Sequence, residues 1–164
     1  MKDEIRIRRG APEDAAELAR LRYAFRAELD PPVESESTFV ARCTGWMHQQ
    51  LGPGGSWSCW VAADGTALVG TVWLQLIEKL PNPVGHAGFH GYVSSVYVVP
   101  HLRNTGIGSA LLAACVTEAG TTGLDALFLW PTDRSRPLYE RHGFAVPDDL
   151  LERRPGTITR PIGC

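Results

Sequence analysis

The sequence lacks any stretch approaching ~20 consecutive apolar residues, the length a helix needs to cross a bilayer. A signal-peptide pattern is also missing, because Met1-Lys2-Asp3-Glu4-Ile5-Arg6 is charged where an apolar segment would be required. The expectation is a soluble, cytoplasmic protein with no membrane partner. Cysteine is scarce: Cys43, Cys59, Cys115 and Cys164 stand far apart and form no Cys-x-x-Cys. Neither a zinc knuckle nor a redox pair is indicated, no metal is expected, and buried free thiols are the reading, with Cys164 the one expected to be exposed. A basic surplus is missing too. Lysine plus arginine number 16 against 18 aspartate plus glutamate, a formal charge of −2. Nucleic-acid binders gather positive charge into patches, whereas the basic residues here are dispersed apart from Arg6, Arg8 and Arg9 and the Arg153-Arg154 pair.

What is there suffices for one domain spanning 1–164. The 164 residues are 44% hydrophobic and include five tryptophans. A chain of this mass buries roughly 70% of the surface its unfolded form exposes, with no need of a disulfide or metal. Glu4 to Arg9 alternates Ile5 and Ile7 with charged neighbours, the period of a strand with one buried face. Pro12-Glu13-Asp14 suits a helix opening, and Ala15, Leu18, Leu21, Phe25 and Leu29 recur at helical spacing to about Glu28, where Asp30-Pro31-Pro32 ends the run. A second helix is predicted from Ser35 to Gln50, broken by Gly52-Pro53-Gly54-Gly55. Trp57 to Ala62 and Leu68 to Ile77, around Asp64-Gly65, read as a hairpin, and Leu80 to His90 as an irregular excursion. Tyr92 to Val99 is a predicted strand, Gly106 to Ala119 a helix, Leu124 to Trp130 a strand and Ser135 to His142 a short helix, with a last strand near Leu150 to Arg154. This order suits an α/β sheet covered by helices.

The informative stretch runs from Val96 through Pro100 to Leu112. An apolar strand passes through a proline turn into a helix whose first residues include Gly106 and Gly108 and no acid. Such a helix start leaves backbone N–H groups unpartnered at the positive end of the dipole, which makes an anion site. Glycine lets a phosphate approach the backbone, and Arg103 adds a charge able to fork onto phosphate oxygens. A dinucleotide fingerprint does not fit, because Leu111 stands where its third glycine belongs and six residues separate Val99 from Gly106. No Gly-Lys-Ser or Gly-Lys-Thr occurs, so a Walker loop does not fit either.

Arg103-Asn104-Thr105-Gly106-Ile107-Gly108 resembles the pyrophosphate loop of the GNAT superfamily of N-acetyltransferases, Arg/Gln-x-x-Gly-x-Gly/Ala. Val96-Tyr97-Val98-Val99-Pro100 looks like the family's central strand. Downstream, Leu138-Tyr139-Glu140-Arg141-His142-Gly143-Phe144 is similar to its Tyr-Glu-x-x-Gly-Phe segment. The resemblance covers about Ile5 to Phe144. It implies an α/β single domain with a mixed, mostly antiparallel sheet flanked by helices and splayed at its central strands. It implies transfer of an acetyl group from acetyl-CoA to a primary amine, expected to belong to a small molecule, by direct attack in a ternary complex. Carried over residue by residue, it implies that the bulged central strand offers the N–H of Val96 to the thioester carbonyl and that Val98 pairs with pantetheine, with Tyr97 between them. The N–H groups of Arg103, Asn104, Thr105, Gly106, Ile107 and Gly108 would hold the pyrophosphate, next to Ser109. Tyr139 would be the general acid at the leaving thiolate, since a phenol stays protonated at neutral pH; the alternative is that it packs the short helix against Phe144.

Two departures from the family pattern matter. Many relatives carry an acidic base on the central strand, where this chain has Ser94 and Ser95. The base is then water, a carboxylate of the helical segment such as Glu28, Glu34 or Glu36, or His90. The second is Asp133-Arg134-Ser135-Arg136-Pro137, where many relatives place Asn; Ser135 would bond pantetheine or, as the preferred alternative, cap the helix. Glu28, Asp30, Glu34 and Glu36 form an acidic group able to attract a cationic amine, or else a solvated helix edge. Trp46, Trp57, Trp60 and Trp73 would floor an amine pocket or, more simply, fill the core. The alternatives to a small-molecule enzyme are a protein N-terminal or lysine acetyltransferase and a non-catalytic acyl-CoA sensor. Homodimers are common in the family, and the resemblance extends to that possibility.

Overall fold

The computed structural model describes residues 5–85 and 88–155, so Glu4 and Cys164 lie outside the described residues. In chain order it contains β1 (Arg6–Arg9), a 3-10 turn (Pro12–Asp14), α1 (Ala15–Ala27), α2 (Glu36–Leu51), β2 (Trp57–Asp64), β3 (Ala67–Glu78) and β4 (Phe89–Val98). A second 3-10 turn (Pro100–Leu102), α3 (Ile107–Thr121), β5 (Leu127–Phe128) and α4 (Arg136–Arg141) follow. The helix starts have local causes. Arg8 forks onto Asp14 at 2.7 and 2.8 Å, and the same carboxylate accepts the Ala11 N–H at 2.9 Å, tying β1 to the opening of α1. The Arg8 guanidinium holds the Asp14 carboxyl below its usual range. Ser35 caps α2 by accepting the Thr38 N–H at 3.2 Å.

The five strands lie in the order β1-β2-β3-β4-β5, antiparallel through β4, with β5 parallel to β4. Alternation along the strands supplies two cores. Trp60, Ala62, Val72, Leu74, Val93 and Val98 pack with α3, through Leu111, Leu112 and Cys115. Cys59, Val61, Ala63, Trp73 and Tyr97 pack with α1 and α2, through Leu18, Leu21 and Met47.

Val93 and Val98 share a face although five residues apart, which strict alternation forbids. One extra residue explains it. β3 and β4 pair at Thr71↔Tyr97 and again at Trp73↔Ser94, so β4 spends three steps where β3 spends two. Ser95 takes φ +54°, a left-handed conformation uncommon for a residue other than glycine. The expected central-strand bulge is therefore present. β5 pairs with β4 only at Gly91↔Leu127 and Tyr92↔Phe128 and then leaves it, which is the expected splay.

Three sequence expectations need correction. The strand predicted over Leu124 to Trp130 contracts to Leu127–Phe128, because β5 has no neighbour once it parts from β4. No strand forms near Leu150 to Arg154; Leu151 is 97% exposed, so the segment has no apolar surface against which to pair. β4 begins earlier than expected, at Phe89, because Phe89 and His90 pair with Glu78 and Ile77. This takes the last residues out of the irregular excursion.

Cys59 and Cys115 are fully buried free thiols, and burial pushes both up to about 12. Their folded-state values exceed the ordinary value of 9.0. Their contribution to stability is therefore intact below pH 9 and is lost as pH climbs towards 12. Urea midpoints measured at rising alkaline pH should fall across this window. In the native protein at neutral pH, a thiol reagent followed by mass spectrometry should label neither residue until denaturant is added.

Candidate active site

A cleft of about 500 Å³ lies beside the stretch of β4 that β5 leaves unpaired. Its volume falls in the range of small-ligand sites. Phe25, Glu28 and Leu29 line it from the end of α1, Ser95 to Val98 from β4, Arg103, Asn104, Gly106, Gly108 and Ser109 from the start of α3, and Thr132, Arg134, Ser135, Leu138, Tyr139 and Arg141 from the α4 side.

The α3 end is built as the sequence suggests. Gly106 precedes the helix at φ +92°, no side chain caps it, and its first turn contains no acid. Its first N–H groups therefore have no carbonyl within the helix to bond. A Cβ at Gly108 would lie 3.8 Å from Val98 and 3.9 Å from Leu138, inside the cleft, so glycine leaves that volume to an anion beside the N–H groups. Asn104 is also left-handed, at φ +61°. Thr105 turns its hydroxyl to the Leu102 carbonyl at 2.6 Å, Ile107 is buried in the core, and neither lines the cleft. Ser109 lines the cleft with its hydroxyl 2.8 Å from Nε2 of His142.

Arg103 departs from expectation. Its Nη2 donates to both carboxylate oxygens of Glu28 at 2.8 and 2.7 Å, its Nε donates to the Val98 carbonyl at 2.9 Å, and the guanidinium stacks 5.5 Å over Tyr97. Tyr97 donates its hydroxyl to Glu28 at 2.9 Å. Burial, reinforced by this carboxylate, pushes the Tyr97 phenol up to about 12. The guanidinium thus spans from the α3 loop to α1 and does not point along the helix start.

Three of the four carboxylates of the acidic group predicted to attract a cation, all but Glu36, are paired with arginines. Glu28 is paired with Arg103, Asp30 lies 3.6 Å from Arg26, and Glu34 is paired with Arg42. Glu34 lines a separate hollow of about 210 Å³ at the α1–α2 turn, with Tyr23 and Phe39. Ser94 and His90 do not line the cleft. Ser95 accepts from Arg22 at 2.8 Å, and its hydroxyl lies 3.4 Å from that of Ser94, so a cation stands where a strand base was sought. Nδ1 of His90 is buried with no hydrogen-bond partner.

Tyr139 lines the cleft and also meets Phe144 edge to face at 5.9 Å, so the position expected of a general acid and the packing position are the same one. Burial pushes its phenol up to about 12, with Ser135 partly offsetting and Tyr92 reinforcing the shift. Ser135 stands at the N-cap position of α4 but makes no cap bond, contrary to the preferred expectation. Its hydroxyl instead accepts the Thr132 N–H at 2.9 Å and closes the turn before α4. Sequence reasoning missed Arg134 and Arg141, the basic residues that the turn before α4 and α4 itself bring to the cleft wall. Their only sequence signal was proximity to the Tyr139 segment.

Among the described residues no group of three or more His, Cys, Asp or Glu is placed to hold a metal, and no helix is long and apolar enough to cross a membrane. The Acetyltransferase (GNAT) family profile matches residues 18–144. None of the curated proteins matches the sequence. Among solved structures, a GCN5-related N-acetyltransferase from Ralstonia eutropha superposes with TM-score 0.70 at 26% identity, covering 93% of this chain and 100% of the other. A predicted acetyltransferase from Clostridium acetobutylicum, crystallised with acetyl-CoA, superposes with TM-score 0.71 at 22% identity, covering 92% and 96%. A ribosomal-protein-alanine N-acetyltransferase from Brucella melitensis gives TM-score 0.66 at 24% identity, covering 92% and 99%.

Substituting Glu28→Gln removes the carboxylate that Tyr97 and Arg103 share. The Tyr97 phenol should then titrate below its value of about 12, though only part of the way to normal because burial is the larger cause. Phenolate absorbance, compared with a Tyr97→Phe background, reads the shift. An unchanged titration would contradict the shared-carboxylate geometry.

Proposed function

The chain belongs to the GNAT acetyltransferase family, with acetyl-CoA as its acyl donor, and we propose that its acceptor is a primary amine of a small molecule, acetylated by direct attack in a ternary complex. One observation carries this reading: a single cleft joins an uncapped glycine helix start, a bulged and half-unpaired strand, and a half-buried tyrosine. Each supplies one requirement of acyl transfer. The N–H groups of Arg103 to Gly108 receive the pyrophosphate, with Arg134 and Arg141 adding positive charge from the opposite wall. Val98 pairs with the pantetheine arm as a neighbouring strand would, on the edge that β5 vacates. The Val96 N–H, beside the bulge, stabilises the negative charge that develops on the thioester oxygen.

Tyr139 stands at the leaving sulfur. With its phenol near 12 it is protonated throughout the working pH range and donates a hydrogen bond as negative charge builds. Proton transfer from it to a thiolate of ordinary pKa, about 8.5, would be uphill by roughly 5 kcal/mol, so Tyr139 stabilises the departing thiolate as a hydrogen-bond donor, and the proton released by the attacking nitrogen as the amide forms balances the charge of the thiolate. The attacking nitrogen must arrive without its extra proton. Ser94 and Ser95 cannot remove it, and Glu28 is engaged by Arg103. The amine therefore loses that proton to water before it attacks.

Three measurements test this. Tyr139→Phe should lower turnover, followed by release of the CoA thiol, on the order of a hundredfold while leaving acetyl-CoA affinity within about twofold. Unchanged turnover would remove Tyr139 from the mechanism. The kcat/KM for the amine should rise about tenfold per pH unit below the acceptor's own pKa, since only the neutral fraction reacts. In a thermal-shift assay, acetyl-CoA at about 100 times its Kd should stabilise the fold by roughly 2.7 kcal/mol. Binding without turnover on any amine, peptides included, would favour a sensor.

A further inference from the structure

The turn that ends α4 brings a histidine against the start of α3. Gly143 takes φ +84°, and the Phe144 N–H donates to the Tyr139 carbonyl and the Gly143 N–H to the Glu140 carbonyl, both at 3.1 Å. This pair of bonds closes a helix on a left-handed glycine. His142, the residue before that glycine, reaches α3: its Nε2 lies 2.8 Å from the Ser109 hydroxyl in a half-buried contact. Ser109 is the third residue of α3 and lines the cleft beside Gly106 and Gly108. One hydrogen bond thus ties the helix start to the segment that carries Tyr139, across 33 residues of sequence.

The direction of that bond decides what Ser109 offers the cleft. A hydroxyl has one proton and two lone pairs, and an imidazole nitrogen either donates or accepts. If Ser109 gives its proton to Nε2, only lone pairs are left for the cleft, and these repel a phosphate oxygen. If Nε2 carries the proton and gives it to Ser109, the hydroxyl keeps its own proton for an anion. Ionised phosphate oxygens accept and do not donate, so an anion at the α3 start selects the second arrangement. No free acid in the cleft competes for the imidazole proton: among the described residues Glu28 is the one carboxylate lining it, and Arg103 holds it. The exposed Arg134 and Arg141 supply attraction at a distance, whereas Ser109, held by His142, is a donor of fixed direction. We propose that His142 is a positioning residue whose Nε2–H donates to Ser109, so that the Ser109 hydroxyl turns its proton into the cleft and donates to the pyrophosphate of the acyl donor. This rests on the reading that the α3 start receives that pyrophosphate, and it adds a polarised side-chain donor to the backbone N–H groups there.

Calorimetry with CoA, and with pantetheine, which lacks the phosphates, tests the relay. Ser109→Ala should raise the Kd for CoA about tenfold, the size expected of a hydrogen bond to a charged group. His142→Phe, which fills the place of the ring without a donor, should raise it nearly as much, and the double variant no further, because the two side chains act as one unit. His142→Gln, whose amide nitrogen reaches about as far as Nε2, should recover most of the affinity. None of these variants should alter pantetheine binding by more than about twofold. A normally melting His142→Phe with unaltered CoA affinity, or losses that multiply in the double variant, would overturn the relay. An equal loss for pantetheine would do the same, since it marks a general loosening of the cleft. Should His142→Phe melt early, His142→Ala replaces it. Should pantetheine bind too weakly to titrate, His142→Gln decides: recovered CoA affinity upholds the relay and unrecovered affinity overturns it. Wild-type protein that holds pantetheine as tightly as CoA would instead remove the pyrophosphate from the α3 start, so the underlying reading fails separately.

Discussion

The site depends on one constraint, that β4 cannot pair fully on both sides. It pairs with β3 along most of its length, but with β5 at only two positions, and at Ser95 it takes an extra residue even against β3. Backbone polar groups left without a strand partner must be satisfied by something else, or the fold carries the cost of desolvating them. An extended ligand arm is a chemically suitable substitute. The same bulge shifts side-chain parity, so that Val98 rejoins the α3 core while Tyr97 turns towards α1. One inserted residue thus opens the cleft, keeps both cores filled, and puts Tyr97 where Glu28 and Arg103 converge.

Charge is handled locally throughout. The chain as a whole carries −2, yet its cleft must accept a polyanionic acyl donor. The positive field comes from the α3 start and from Arg134 and Arg141, while Glu28, the carboxylate that lines the cleft, is matched by Arg103. In the Glu28–Arg103 contact, the arginine that sequence logic assigned to phosphate is tied to α1, with Tyr97 as a third member. That contact joins two stretches far apart in sequence across the mouth of the cleft, and no local pattern announces it.

Much of the fold was legible because its causes are local. Pro12 and the Asp14 carboxylate open α1, Ser35 caps α2, and Gly106 at positive φ starts α3; each is a residue type whose stereochemistry or hydrogen bonding favours a single outcome. The uncapped start of α3 and the short helix that carries Tyr139 were readable for the same reason. The failures were non-local. Leu124 to Trp130 has the composition of a strand, but strand length is set by a partner, and β4 turns away after two residues. Leu150 and Leu151 likewise suggest a strand, yet no sheet edge receives them and both are exposed.

Residue types and their order therefore decided most of the element sequence and the uncapped, acid-free start of α3, since each follows from interactions spanning a few residues. Three-dimensional packing decided the rest. It committed Arg103 to Glu28, brought Arg134 and Arg141 to the cleft wall, turned Ser135 back onto Thr132, and gathered Tyr92, Phe128 and Trp130 into one surface. These contacts depend on which surfaces the chain brings together, and a carboxylate, an indole or a hydroxyl has many possible partners until the strands and helices are in place.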